Sequence, residues 1–156
     1  MSEPIIEQIT EWIADALDGE QDPDTTLTLN SVRPTILDWD VSQFAHGDVI
    51  IELDTSDTQS QRTTTSRTEK GKWLLYGIIR TLPADTAADT VLARIAETIR
   101  RLLLAGNASG QACGGLALNI NCPNITYVSF DGGVTAIVSV EVVYMTALKD
   151  GYAGPS

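Results

Sequence analysis

Apolar residues recur at spacings of three and four from the start of the chain: Ile5, Ile9, Trp12, Ile13, Ala16 and Leu17. Such spacing places them on one face of a helix, so the pattern predicts an amphipathic helix over 4–18. Pro4 suits the first turn, where its missing N–H has no intrahelical partner, and Gly19 is a natural stop. The opposite face carries Glu3, Glu7, Glu11, Asp15 and Asp18. Like charges at i,i+4 cost about 0.2–0.5 kcal/mol per pair. That face is therefore either a solvated surface or one that meets cations or lines an acidic passage. A second stripe, Val91, Leu92, Ile95, Ala96, Ile99, Leu102 and Leu103, predicts a second helix. Asp85 is placed to cap its start, and Gly106-Asn107 to end it.

Elsewhere the period falls to two, as in strands. Thr26 to Leu29 alternates briefly, and 31–46 reads as a loop whose Trp39, Val41 and Phe44 pack under a sheet. Runs at 47–54 and 72–81 predict two strands that pair as a long hairpin. Three more are expected near 116–120, 124–130 and 134–146, the last two joined through Asp131-Gly132-Gly133, where glycine supplies positive φ. In the final strand Val134, Ala136, Val138, Val140, Val142 and Tyr144 share one face, with Ile137, Val143 and Met145 on the other. Both faces are then at least partly covered. The expected fold is α+β: a mainly antiparallel sheet flanked by two helices, with a long β-hairpin arm, in one domain over 1–156. Residues 149–156 are expected to form a flexible tail.

The arm is the anomaly. Residues 56–72, SDTQSQRTTTSRTEKGK, contain no apolar side chain and hold Arg62, Arg67, Lys70 and Lys72, four of the ten basic residues of the chain. A hairpin needs two to five linking residues, and connections this long are usually functional or disordered. Thr63, Thr64, Thr65 and Thr68 have high β-propensity and can enter a strand once partnered. The arm is therefore expected to gain order against another protein, its four cations meeting an acidic surface.

Charge sharpens the contrast. Ten Lys and Arg stand against 21 Asp and Glu, a net −11, so the body of the protein lacks the clustered cations that nucleic-acid binding requires. The first residues show no basic region followed by an apolar one, and no stretch is long and apolar enough for a membrane span. Cys113 and Cys122 are too few for a disulfide framework or a structural zinc site, and a bridge between them stays open. His46 is the sole imidazole, beside Gly47 in an expected turn, and no serine sits in a G-x-S-x-G elbow. Asp18, Glu20, Asp22 and Asp24 alternate like calcium ligands, but Pro23 and Leu29 stand where an EF-hand loop needs glycine and glutamate. Tyr76 and Tyr144 read as core or interface residues. No catalytic residue, cofactor or metal is expected.

The N-terminal amphipathic helix, the hairpin with its long polar loop, the helix after Thr81-Leu82-Pro83-Ala84-Asp85, and the Gly-Gly hairpin ending Val140-Glu141-Val142-Val143-Tyr144 together resemble the tail-terminator (tail-completion) proteins of tailed phages. Head–tail connector, neck and tail tube proteins share similar elements. The resemblance implies a structural virion protein, not an enzyme, made in the host cytoplasm. It implies a homohexameric ring that caps the tail tube, receives the head through a connector protein, lets DNA pass without specific binding, and touches no membrane. Glu7, Glu11 and Asp15 are the candidate acidic lumen or ring face, and Arg62, Arg67, Lys70 and Lys72 the interaction arm. The rival readings are a monomeric domain whose cationic arm binds an acidic peptide or nucleic acid, and an enzyme of unrecognised type.

Overall fold

The computed structural model describes residues 4–23, 27–35, 38–54, 59–62, 66–82, 86–107 and 110–147. Helix α1 runs Ile5–Leu17, and its stripe of Ile5, Ile9, Ile13 and Leu17 is buried. Pro4 sits at its N-cap, and Gly19, at φ 77°, turns the chain out of the helix as expected. Helix α2 spans Ala88–Leu104 and buries Val91, Leu92, Ile95, Ala96, Ile99 and Leu103. Its N-cap is Ala87, which gives no side-chain cap; the expected cap, Asp85, lies outside the described residues.

The strands are β1 Asn30–Val32, β2 Asp48–Leu53, β3 Gln59–Arg62, β4 Ser66–Ile79, β5 Asn119–Asn121, β6 Ile125–Phe130 and β7 Gly133–Ala147. They form one mixed, mainly antiparallel sheet, so the α+β expectation holds. Its spine is the β4–β7 pair, in register from Ser66↔Ala147 to Ile79↔Val134. β2 and β3 share the outer edge of β4, while β6 and β5 share the outer edge of β7. The expected hairpin is present, with Val49 opposite Gly77 and Leu53 opposite Trp73. β1 lies parallel to β2, which the sequence reading missed: Ser31 and Val32 fall inside the stretch read as a loop, Asn30 just before it, and Thr28 makes only an isolated bridge to Gln21. A three-residue strand is too short for a period of two to stand out.

Both helices cover the same face of the sheet. Trp73, Leu75 and Ile79 of β4 and Ala136, Val138, Val140, Val142 and Tyr144 of β7 join the helix stripes in one buried cluster. Trp73 is fully buried, and its indole N–H donates to the Thr10 hydroxyl at 3.0 Å, tying sheet to helix. Gly71 makes room for that ring, since a Cβ there would stand 2.7 Å from it. On the opposite face Trp39 packs edge-on against Tyr76 and Phe44, and its N–H donates to Glu52. Residues 38–46 thus do pack under the sheet. The Arg80 guanidinium holds them there, donating to the carbonyls of Phe44, Ser42 and Val41 while lying over the Phe130 ring.

The largest departure from expectation is the arm. Its described residues are strands of this subunit's own sheet: β3 pairs with Arg67–Lys70, and 66–72 lie along 141–147 of β7. Along 66–72 it is β7 of the same subunit that supplies the cross-strand partner, with Thr68 opposite Met145. Residues 55–58 and 63–65 and the tail 149–156 lie outside the described residues.

Candidate functional site

A fourteen-position strand pair extends about 45 Å at about 3.3 Å per residue. The 17 residues of α2 span only about 25 Å at 1.5 Å each. Ile6, in the first turn of α1, lies over Gly71. Beyond it, toward the arm tip, the helix-side positions become Arg67, Glu69, Tyr144 and Thr146. The Tyr144 hydroxyl is hydrogen-bonded to Glu69 opposite it. Burial, then the Glu69 charge and that bond, push the phenol well above its ordinary pKa, with Arg67 opposing. Arg67 approaches Glu69 at 3.7 Å. Its Nε and the Thr146 hydroxyl, on directly opposed residues, are buried without any hydrogen-bond partner. Two orphaned polar atoms side by side are costly, because buried polar groups are nearly always paired.

Arg67, Lys70 and Lys72 do not form one patch. Side chains alternate along a strand, so Arg67 points to the helix side and Lys70 and Lys72 to the other. Lys70 pairs with Glu141 of β7 at 3.3 Å, and Lys72 stands opposite the same residue. Arg62 occupies the β3 position opposite Arg67. On that face the neighbouring positions of β4 and β7 are half-buried and mixed, with Leu74, Val143 and Met145 beside Glu141 in the register.

The acidic stripe of α1 is partly answered from within the chain. Arg33, just past β1, grips Glu7 with both guanidinium nitrogens, and Asp18 accepts from the Ser31 N–H at 3.0 Å. Glu7 is accordingly half-buried, whereas Glu11 and Asp15 are exposed. The compensating cation lies 26 residues away, beyond the reach of any i,i+4 argument.

The His46 Nδ1 accepts the backbone N–H groups of Arg80 and Thr81, which ties the turn before β2 to the end of β4. Asp22 is fully buried and accepts from the Thr98 hydroxyl, fastening the acidic turn to α2. Cys113 and Cys122 are both buried free thiols, raised by burial to about 12 and about 11. A cleft of about 600 Å³ beside α2 is lined by Pro23, Thr90, Arg94, Glu97 and Arg101. Among the described residues no group of three or more His, Cys, Asp or Glu could hold a metal ion, and no helix is long and apolar enough to cross a membrane.

One feature of the surface escaped the sequence reading although it is visible there. From Leu102 to Phe130 the chain has no charged residue. In the fold this run supplies β5 and β6, which form one edge of the sheet, and it exposes Leu118, Tyr127 and Val128.

No protein-family model matches the chain, and no curated protein matches it.

Proposed function

We propose that the protein is a structural virion component of the tail-terminator kind, whose copies form a ring that caps the tail tube and joins it to the head. The observation that carries this reading is the far end of the β4–β7 ladder, where Arg67 Nε and the Thr146 hydroxyl are buried without partners. Buried polar atoms are nearly always paired, and a rearrangement of this end against a neighbouring subunit is the simplest way to satisfy them. The fold supports the resemblance in element order, from the N-terminal helix through the long hairpin to the closing strands. Net charge supports it too: a ring carrying −11 per subunit, with Glu11 and Asp15 exposed, repels DNA and lets it pass. The division of Arg67 from Lys70 and Lys72 between two faces, with Lys70 engaged by Glu141, argues against the rival reading of a polyanion-binding monomer. A connector or neck ring uses the same features, and the place in the virion is read from the partner captured.

The test is assembly. Purified protein mixed with the tail tube protein of its own virus should form closed rings at tube ends, visible by negative-stain microscopy, most naturally as hexamers. Virions made without it should carry unjoined tails and heads. A protein that stays monomeric at millimolar concentration and ignores tubes, or whose loss leaves particle yield intact, would refute the proposal.

A further inference from the structure

The Asp131-Gly132 turn makes Phe130 and Gly133 a hydrogen-bonded pair, and the alternation of an antiparallel ladder carries this to Val128–Thr135 and Thr126–Ile137. The Ser139 N–H donating to the Asn124 carbonyl at 2.9 Å confirms the phase. The N–H and C=O groups of Ile125, Tyr127 and Ser129 therefore point away from β7, and among the described residues no strand pairs with them. Unpaired edges are ordinarily blunted by charge, proline or a bulge. β6 has none of these: its sequence is ITYVSF, and Tyr127 and Val128 are more than 40% exposed.

We infer that this edge is a docking surface for the same edge of a second copy, the two β6 strands pairing antiparallel about a two-fold axis at Tyr127. Three observations select the second copy. The protein carries −11, so copies repel one another over most of their surface, and the uncharged run from Leu102 to Phe130 is where that repulsion is least. The strand is complementary to itself. With Tyr127 opposite its own copy, Ile125 falls opposite Ser129, so every outward group finds a partner, and the β-branched Thr126 and Val128 pair on the other side. The first charge beyond the strand, Asp131, falls opposite the uncharged Pro123 of the second copy. A two-fold pair closes on itself. It is distinct from the head-to-tail contacts of a ring and does not rest on the proposed function.

The test uses the full chain. Sedimentation should show a concentration-dependent dimer, and hydrogen exchange should show the Ile125, Tyr127 and Ser129 amides gaining protection with concentration. A chain carrying both Thr126→Cys and Val128→Cys should oxidise to a covalent dimer, since these opposed residues form the non-hydrogen-bonded pairs in which side chains approach most closely, while the buried native thiols stay reduced. Tyr127→Pro removes only an outward N–H, and edge strands tolerate proline there. It should weaken dimerisation roughly tenfold or more with an unchanged fold, and Tyr127→Lys, which sets two cations face to face, should do the same. A wild type that stays monomeric, or a dimer that survives both substitutions and does not cross-link through Cys at 126 and 128, overturns the inference. Rings that form with this edge still exchanging freely would also overturn it and leave the proposed function standing.

Discussion

Thr→Val at two buried sites should shift stability in opposite directions. The Thr10 hydroxyl donates to the Ile6 carbonyl at 2.8 Å and accepts the Trp73 indole N–H at 3.0 Å. Thr10→Val keeps the shape but strands that N–H beneath the helices, at a cost of roughly 1–3 kcal/mol. For a domain of this size each kcal/mol moves Tm by about 2–4 °C, so Thr10→Val should melt roughly 2–12 °C lower. Thr146 is equally buried, but its hydroxyl has no partner. Thr146→Val removes a desolvated polar atom and should stabilise the isolated subunit by about 1 kcal/mol, a rise of about 2–4 °C. Calorimetry and circular dichroism at pH 7, at dilutions that keep subunits apart, would read both. If the unpaired end of the β4–β7 ladder serves assembly, the more stable Thr146→Val subunit should also form rings less readily, the usual trade between stability and function. A Thr146→Val protein that melts as low as Thr10→Val would show that the hydroxyl is satisfied, and would remove the main support for that end as an unfinished surface.

Three further outcomes are expected. Cys113 and Cys122 titrate above their ordinary value near 9 when folded, so the folded state holds protons that the unfolded chain releases. Their contribution is complete below about pH 9 and is lost as pH rises toward the folded values, by up to about 1.4 kcal/mol per pH unit for each thiol. Urea melts between pH 8 and 11 should show this slope, and Cys→Ala at both positions should flatten it. Gly71→Ala should cost about 1–3 kcal/mol by displacing the Trp73 ring, whereas Gly77→Ala, whose added carbon meets Ile95 at 3.4 Å, should be near neutral; thermal melts of the pair would separate them. Replacing 56–70 with a short turn should destabilise the subunit by roughly 3–6 kcal/mol, because Val143, Tyr144 and Met145 would lose their cross-strand partners; a deletion protein as stable as wild type would mean that the 66–70 pairing is dispensable.

Helices and long strands were legible because their periods persist over many residues. The stripes of α1 and α2, the β2–β4 hairpin, and the face assignment of β7 from Val134 to Tyr144 all appear as expected. The arm was misread because a polar run says nothing about what lies beside it. The ladder from Ser66 to Lys72 depends on Glu141 to Ala147, some seventy residues on, and hydrogen bonds between backbones leave little mark on side-chain pattern. The same non-locality hid Arg33 as the partner of Glu7, and strand alternation set Arg67 on one side of β4 with Lys70 and Lys72 on the other. The uncharged stretch before Phe130 needed no structure to notice, only attention to where charge is missing.

The position of β7 also bears on how the protein is made. It is last in chain order among the described elements, yet it sits in the middle of the sheet. During synthesis α1, β2, β4 and α2 emerge first and wait with one long edge of β4 uncovered, and no rearrangement among them can substitute for the missing strand. Non-local pairing of this kind is slow and leaves a nascent chain open to mispairing with others on the same message. Arg67, Lys70 and Lys72 then act early: charge along an uncovered edge discourages wrong partners until the right one arrives. The polar arm is, in that interval, a guard on the growing sheet.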